Sequence, residues 1–252
     1  MNSAYRVPVD GSFRLARADT APPKNAPGNG DAKKLLAAQI DRLDALQRRL
    51  YADRRYAVLL VFQGMDTAGK DSTIRAVLTG INPAGCQVHA FGRPSAEELA
   101  HDFLWRCATR LPARGHIGVF NRSYYEEVLT VRVHPELLTA QQLPDQPADL
   151  QPLWASRYAS IRNLESHLAA SGTVILKFWL HLSRAEQQKR LLARLDDADK
   201  NWKFDAADLD ERRHWDAYQR AAEDALNATS TVAAPWYVIP ADSKPFMRLS
   251  IA

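Results

Sequence analysis

The stretch Val58-Leu-Leu-Val-Phe-Gln-Gly-Met-Asp-Thr-Ala-Gly-Lys-Asp-Ser-Thr73 constrains the fold more than any other. The apolar run from Val58 to Phe62 reads as a buried strand. Gly64 to Gly69 reads as a tight loop, and Lys70 opens a helix. Strand, glycine loop, Gly-Lys and helix is the order of a phosphate-binding P-loop. Glycine lets the backbone curl until several N–H groups point at one spot. The helix N-terminus adds partial positive charge there, worth about 0.3–1 kcal/mol per anion contact. Lys70 adds a full charge, and Gly64 and Gly69 frame the turn.

The loop departs from the common form in two places. The residue after Lys70 is Asp71 rather than Ser or Thr. The hydroxyl that usually holds Mg²⁺ is therefore displaced to Ser72 or replaced by a carboxylate. Asp66 sits inside the loop, where its charge repels phosphate unless a cation lies between them. Both features point to a site built for heavily metallated phosphate.

The remaining pattern alternates strands with helices. Residues 1–30 hold five of the early turn-formers Pro8, Gly11, Pro22, Pro23 and Pro27, and read as an irregular arm laid over the domain. Asp31 is expected to cap a helix to about Tyr51 with a core stripe of Leu36, Ile40, Leu43, Leu46 and Leu50. Further strands are expected at Cys86–Phe91, His116–Phe120, Thr173–Leu182 and Trp236–Ile239. Helices are expected from the Ser95/Glu98 capping box to Arg110, and over Tyr124–Leu138 with an interruption at Pro135. Others run over Leu153–Ser171, from a Ser183/Glu186 capping box onward, over Glu211–Ala228, and from Ser243. This order implies a P-loop kinase-like three-layer αβα fold in the α/β class, with a central parallel sheet of about five strands and a helical lid. We expect a single domain over 31–252 with the lid at about 196–213. Ligands of such sheets lie beyond the carboxyl ends of the strands.

Thirty-three basic against 29 acidic residues give a net charge of +4, which permits an anionic substrate without demanding nucleic acid. Cys86 and Cys107 lack metal spacing and read as reduced thiols. There is no apolar run of about 18 residues and no signal-peptide core, so we expect a soluble cytoplasmic protein. The seven histidines are scattered, and no nucleophile elbow supports a Ser–His–Asp hydrolase.

A second constellation follows the third strand. Asn121 stands where P-loop enzymes usually offer a carboxylate for Mg²⁺. Glu126 is the nearer carboxylate able to reach back, and the planar fork of Arg122 suits phosphate. A third set is basic: Arg93, Arg106 and Arg132 on flanking segments, then Lys200, Lys203, Arg212 and Arg213 in the lid. A cationic lid over the loop stabilises charge on a transferring phosphoryl group, and an arginine so placed is worth roughly 10³–10⁵ in rate. Trp202 and Trp215 read as packing anchors.

Taken together, these residues resemble the polyphosphate kinase 2 family. The matching stretches are Gly-Met-Asp-Thr-Ala-Gly-Lys-Asp-Ser at 64–72, Phe-Gly-Arg-Pro-Ser-Ala-Glu-Glu-Leu at 91–99 and His-Asp-Phe-Leu-Trp-Arg at 101–106. Gly-Val-Phe-Asn-Arg-Ser-Tyr-Tyr-Glu-Glu-Val-Leu at 118–129, Val-Arg-Val-His at 131–134, Lys-Asn-Trp-Lys-Phe at 200–204 and Ala-Pro-Trp-Tyr-Val-Ile-Pro-Ala-Asp at 234–242 complete the set. The resemblance runs from about Tyr5 to Asp242. It implies Mg²⁺-dependent phosphoryl transfer, with Mn²⁺ as an alternative ion, between inorganic polyphosphate and nucleoside mono- or diphosphates. The family's loop aspartate, lysine and second aspartate map to Asp66, Lys70 and Asp71. Its Asn-Arg pair maps to Asn121 and Arg122, and its acidic residue to Glu126. The branch acting mainly on diphosphates carries an aspartate where Asn121 stands, so this chain resembles the branch that phosphorylates mono- and diphosphates. Asp66 and Glu126 are the expected metal anchors. Gly64, Gly69, Ser72, Arg93, Arg106, Asn121, Arg132, Lys200 and Lys203 are the expected phosphate and nucleotide contacts. Family members usually carry Trp or Tyr where Pro245 stands and then a full helix, a departure that bears on packing and assembly more than on chemistry. We expect no nucleic-acid or membrane partner and a homo-oligomer, dimer or tetramer. The competing readings are an ATP-dependent nucleoside monophosphate kinase and a non-catalytic phosphate-binding module.

Overall fold

The computed structural model describes residues 4–144, 148–196 and 207–252. One sheet forms its centre, with strands β1 (Ala57–Gly64), β2 (Cys86–Ala90), β3 (Ile117–Asn121), β4 (Thr173–His181) and β5 (Trp236–Pro240). Their spatial order is β2-β3-β1-β4-β5, and every pairing is parallel. β1 and β4 are almost continuously apolar because both faces of a parallel sheet are covered. Leu59, Val61, Phe62, Ile175 and Leu180 are all buried. β1 runs past the apolar stretch because Gln63 and Gly64 still pair with Trp179 and Leu180.

The helices are α1 (Asn29–Asp53), α2 (Lys70–Val77), α3 (Ala96–Leu99), α4 (Trp105–Ala108), α5 (Thr130–Val133), α6 (Gln151–Ala170), α7 (Arg184–Asp196), α8 (Ala207–Arg213), α9 (Trp215–Thr229) and α10 (Lys244–Ile251). On one face of the sheet, Phe62, Val119, Phe178 and Ile239 pack with Ile74 of α2 and Met247 of α10. On the other, Val61, Phe120, Ile175 and Trp236 pack with Ile161 of α6 and Ala222 of α9. These are the three layers expected from the alternation.

Several local expectations are corrected. α1 begins at Asn29 with Gly28 as its cap, and Asp31 lies in its first turn. Its leucine stripe is only partly a core: Leu36 is buried, but Leu46 is 55% exposed. The Ser95/Glu98 capping box forms. The helix it opens breaks, because the Asp102 carboxylate accepts the Leu104 N–H at 2.9 Å and competes with the helical ladder. The segment after β3 is a 3₁₀ turn at Tyr124–Val128, then α5, then a second 3₁₀ turn opened by Pro135. Only half of the second capping box is made. Ser183 Oγ accepts the Glu186 N–H at 3.1 Å, whereas the Ser183 N–H donates to Asp242 and Glu186 turns to Arg190. The helix expected over Glu211–Ala228 divides at His214.

The arm is anchored rather than merely laid over the domain. The Val7 N–H donates to the Trp236 carbonyl and the Val238 N–H to the Tyr5 carbonyl, both at 2.9 Å. This antiparallel bridge covers the otherwise open edge of β5. Further on, the Thr20 carbonyl accepts the Asp242 N–H at the carboxyl end of the sheet. Pro245 sits in the first turn of α10, where a missing N–H costs nothing. Among the described residues no helix is long and apolar enough to cross a membrane.

Candidate functional site

β1 delivers the chain into a loop whose backbone geometry the sequence prepares. Gly64 has φ 155°, Thr67 φ 62° and Gly69 φ 100°. A Cβ at Gly64 would lie 2.9 Å from the Leu180 carbonyl oxygen, so no larger residue fits there. Every carbonyl from Gly64 to Ala68 has a side-chain donor. Lys70 Nζ donates to those of Gly64 and Met65 at 2.8 and 3.3 Å. Gln187 Nε2 donates to that of Asp66 at 3.2 Å. One guanidinium nitrogen of Arg190 donates to those of Thr67 and Ala68 at 3.2 and 3.1 Å. With the carbonyls held on one side, the amides of Asp66, Thr67 and Gly69 have no protein acceptor among the described residues. That is an anion-binding nest at the start of α2.

The five acid and base side chains singled out in the sequence converge here. Burial pulls the Lys70 ammonium down to a pKa of about 8, helped by Arg122, while Asp66, Glu126 and Asp71 act to raise it. All four charges therefore act on Lys70. The Asn121 amide donates to the Asp71 carboxylate, which fixes that carboxylate against the end of β3. Arg122 adopts φ 63°, and its N–H donates to the Phe62 carbonyl at 3.0 Å. This turns its half-exposed guanidinium to within 4.0 Å of Glu126. Glu126 also accepts from the Thr130 hydroxyl at 2.7 Å. Asp66 pairs with Arg194 of α7 at 3.2 Å.

A buried polar network holds the turn after β3. Glu165 of α6 accepts from the hydroxyls of Tyr124 and Tyr125 at 3.0 and 2.8 Å. Lys177, in the middle of β4, donates to Glu165, the Tyr125 hydroxyl and the Thr229 carbonyl. Ser123 Oγ accepts the Tyr125 N–H and a bond from Gln63. Arg122 and Glu126 are thus presented from a braced turn.

The other expected contacts divide. Ser72 turns its hydroxyl back to the Gly69 carbonyl at 3.1 Å. Arg93 is exposed on the connection after β2. Arg106 is committed to the Gly92 carbonyl, the Glu98 carboxylate and the face of Phe91. Arg132 is committed to the Tyr158 hydroxyl and Asp224. Lys200 and Lys203 lie outside the described residues.

Sequence reasoning missed Gln187, Arg190 and Arg194. They recur at i, i+3 and i+7 on α7, immediately after a strand that ends at the site. That polar face was the available signal.

The oxygen donors here suit a divalent cation of a particular kind. Among the described residues no three His, Cys, Asp or Glu side chains form a metal cage. Asp66, Asp71 and Glu126 are separate carboxylates around one ammonium. That set fits a hard cation held by one or two carboxylates and completed by water and phosphate oxygens, as Mg²⁺ prefers.

A model of the polyphosphate kinase 2 family matches residues 28–252. The chain is 58% identical over 219 residues to an ADP-polyphosphate phosphotransferase of Rhodopseudomonas palustris, covering 87% of this chain and 76% of that one. It is 48% identical over 239 residues to an AMP/ADP-polyphosphate phosphotransferase of Meiothermus ruber, covering 94% and 85%. Its fold is similar to the crystal structure of polyphosphate kinase 2 from Arthrobacter aurescens, with a TM-score of 0.89 and 42% identity, covering 98% of this chain and 84% of that one.

Proposed function

Since this chain belongs to the polyphosphate kinase 2 family, we propose that it transfers phosphoryl groups between inorganic polyphosphate and nucleoside mono- and diphosphates, taking AMP to ADP and ADP to ATP. The observation that carries the reading is the gathering of Asp66, Asp71, Arg122 and Glu126 around Lys70 beside a loop with every carbonyl from Gly64 to Ala68 held inward. The names of the relatives disfavour ATP as the donor.

The roles divide by chemistry. The loop amides and Lys70 grip the polyphosphate end, and Arg122 spreads its charge over the oxygens of the moving group. The attacking atom is a terminal phosphate oxygen of the nucleotide. It is already anionic, so no side chain has to remove a proton. One P–O bond forms to the terminal phosphorus of the polymer, and the bond to the next bridging oxygen breaks. The shortened polymer leaves with that oxygen. Catalysis is then positioning and charge stabilisation. Mg²⁺, or Mn²⁺ in its place, would be held by Asp66 and Glu126 and supplies charge neutralisation on the phosphate oxygens. Asp71, oriented by Asn121, supports the cation or the acceptor phosphate. Arg93 and the bases Lys200 and Lys203 add further positive charge for the phosphates. The lid at 196–213, a homo-oligomeric assembly and a cytoplasmic setting, where nucleotides are abundant, belong to the same reading.

The test offers AMP with either polyphosphate or ATP as donor, under Mg²⁺. ADP formed from polyphosphate, and lost in Lys70→Ala without loss of folding, is the expected result. Turnover with ATP alone, or full activity in Lys70→Ala, rejects it. Sedimentation equilibrium reads the assembly.

A further inference from the structure

Gln187 touches both the glycine loop and α8, which falls within the expected lid. It is 2% exposed on α7. Its Nε2 donates to the Asp66 carbonyl at 3.2 Å, and its Oε1 accepts from Arg212 of α8 at 2.8 Å. The reverse amide orientation would set an N–H against the guanidinium and an oxygen against the carbonyl, so the chemistry fixes the direction. Arg212 also donates to the Arg184 carbonyl at 2.9 Å and to Gln188. Arg212 itself makes no contact with the loop among those hydrogen bonds; its reach to Asp66 runs through one amide.

We propose that Gln187 is a positioning residue that ties the docking of Arg212 to the backbone orientation at Asp66. Asp66 is the one loop position whose carbonyl is held by Gln187, while the neighbours on either side are held by Lys70 and Arg190. When Arg212 is docked the amide is pinned from behind, the Asp66 peptide is fixed, and its carboxylate is aimed at the phosphates. The catalytic consequence rests on the functional reading above, but the coupling itself does not.

Three single substitutions and one double variant test it. Gln187→Leu removes both bonds and Arg212→Met removes only the distal one. Each is expected to lower kcat about tenfold to a hundredfold, the range for a misplaced catalytic group, with smaller changes in KM. The double variant is expected to be no slower than the slower single, because both cut one connection. Gln187→Glu is the diagnostic case. Ionised, it keeps an acceptor for Arg212 but loses the donor to Asp66; protonated, it has both. Its kcat relative to the parent protein is therefore expected to recover as pH falls, while that of Gln187→Leu stays flat. Amide exchange over residues 64–70 is expected to quicken in Arg212→Met. Multiplicative kinetic losses, a pH-independent ratio for Gln187→Glu, or unchanged exchange in Arg212→Met overturns the proposal. If the parent protein moved no phosphoryl group from polyphosphate, the functional reading would fall, and the exchange measurement would still decide the coupling.

Discussion

Lys177 and Glu165 form an ion pair at 2.5 Å with side chains 0% and 1% exposed. Burial lowers the Lys177 pKa and the Glu165 charge offsets that. Each donor of the ammonium has a partner, and Glu165 also carries the two phenols that brace the turn bearing Arg122 and Glu126. Removing one member strands a buried charge. Lys177→Met is expected to cost about 3–5 kcal/mol of stability, read by urea unfolding. Adding Glu165→Gln removes the stranded charge and keeps an acceptor for the phenols, so the double variant should regain part of the loss. A double variant weaker than Lys177→Met would contradict this account.

Arg190 uses all five of its donors, two of them on the glycine loop. Nε goes to Glu186, one terminal nitrogen to the Thr67 and Ala68 carbonyls, and the other to those of Ala241 and Asp242. A lysine keeps the charge but has at most three donors and no fixed fork. Arg190→Lys is expected to lower kcat/KM for polyphosphate about a hundredfold, since the loop amides lose their fixed direction. It should also destabilise the fold by about 1–3 kcal/mol through unpaired buried carbonyls. Kinetics and thermal unfolding measure the two effects separately. Near-native kcat/KM in a folded Arg190→Lys would mean the loop holds itself.

Lys70 has a pKa near 8 against its ordinary 10.5, chiefly through burial. The free enzyme therefore loses this ammonium as pH rises through about 8. Bound phosphate, being negative, holds the proton on. kcat/KM for polyphosphate should fall above pH 8, while kcat stays level to higher pH. Lys70→Arg should lack that alkaline limb at whatever activity it retains. The linkage sign is opposite for stability. Between pH 8 and 10.5 the unfolded chain keeps a proton that the folded one has released, so this group's contribution to stability rises with pH in that window. A kcat/KM limb near 8 that persists in Lys70→Arg would assign it to another group.

How much of this was legible depends on how local each signal is. β1, the loop and the start of α2 are contiguous, and glycine positions with left-handed φ are written directly into the chain. The Asn121–Glu126 turn was found for the same reason. Arg190 was not, because it meets the loop across 123 positions, and nothing in the loop says which distant side chain will take its carbonyls. Arg106 and Arg132 illustrate the converse. A basic residue near a phosphate motif reads as a ligand, yet Glu98 and Asp224 claim these two, and only folding reveals the partner. The helix break at Asp102 was missed because a capping box marks where a helix begins and says little about its length. The lysine in the apolar run of β4 was passed over as well, since its partner Glu165 lies on a different element and only folding brings the two together.

Asn121 offers a test of the cation that does not depend on turnover. Its amide donates to the Asp71 carboxylate, so Asn121→Asp replaces an attractive contact with two carboxylates in touch. Such a pair cannot both ionise freely, and one pKa rises above its unfolded value. The sign follows: as pH climbs from the unfolded carboxylate range through the raised value, the unfolded chain sheds its proton first and stability is lost. The variant should match the parent in Tm near pH 3, below the unfolded carboxylate range, and fall below it by pH 7 in chelator. The loss should be about 1 kcal/mol or less, because Asp71 is exposed and solvent screens the repulsion. Millimolar Mg²⁺ should remove the difference if the cation gathers at these oxygens, and should leave it untouched if the cation binds elsewhere. Thermal unfolding of both proteins across pH, with and without the ion, separates these outcomes.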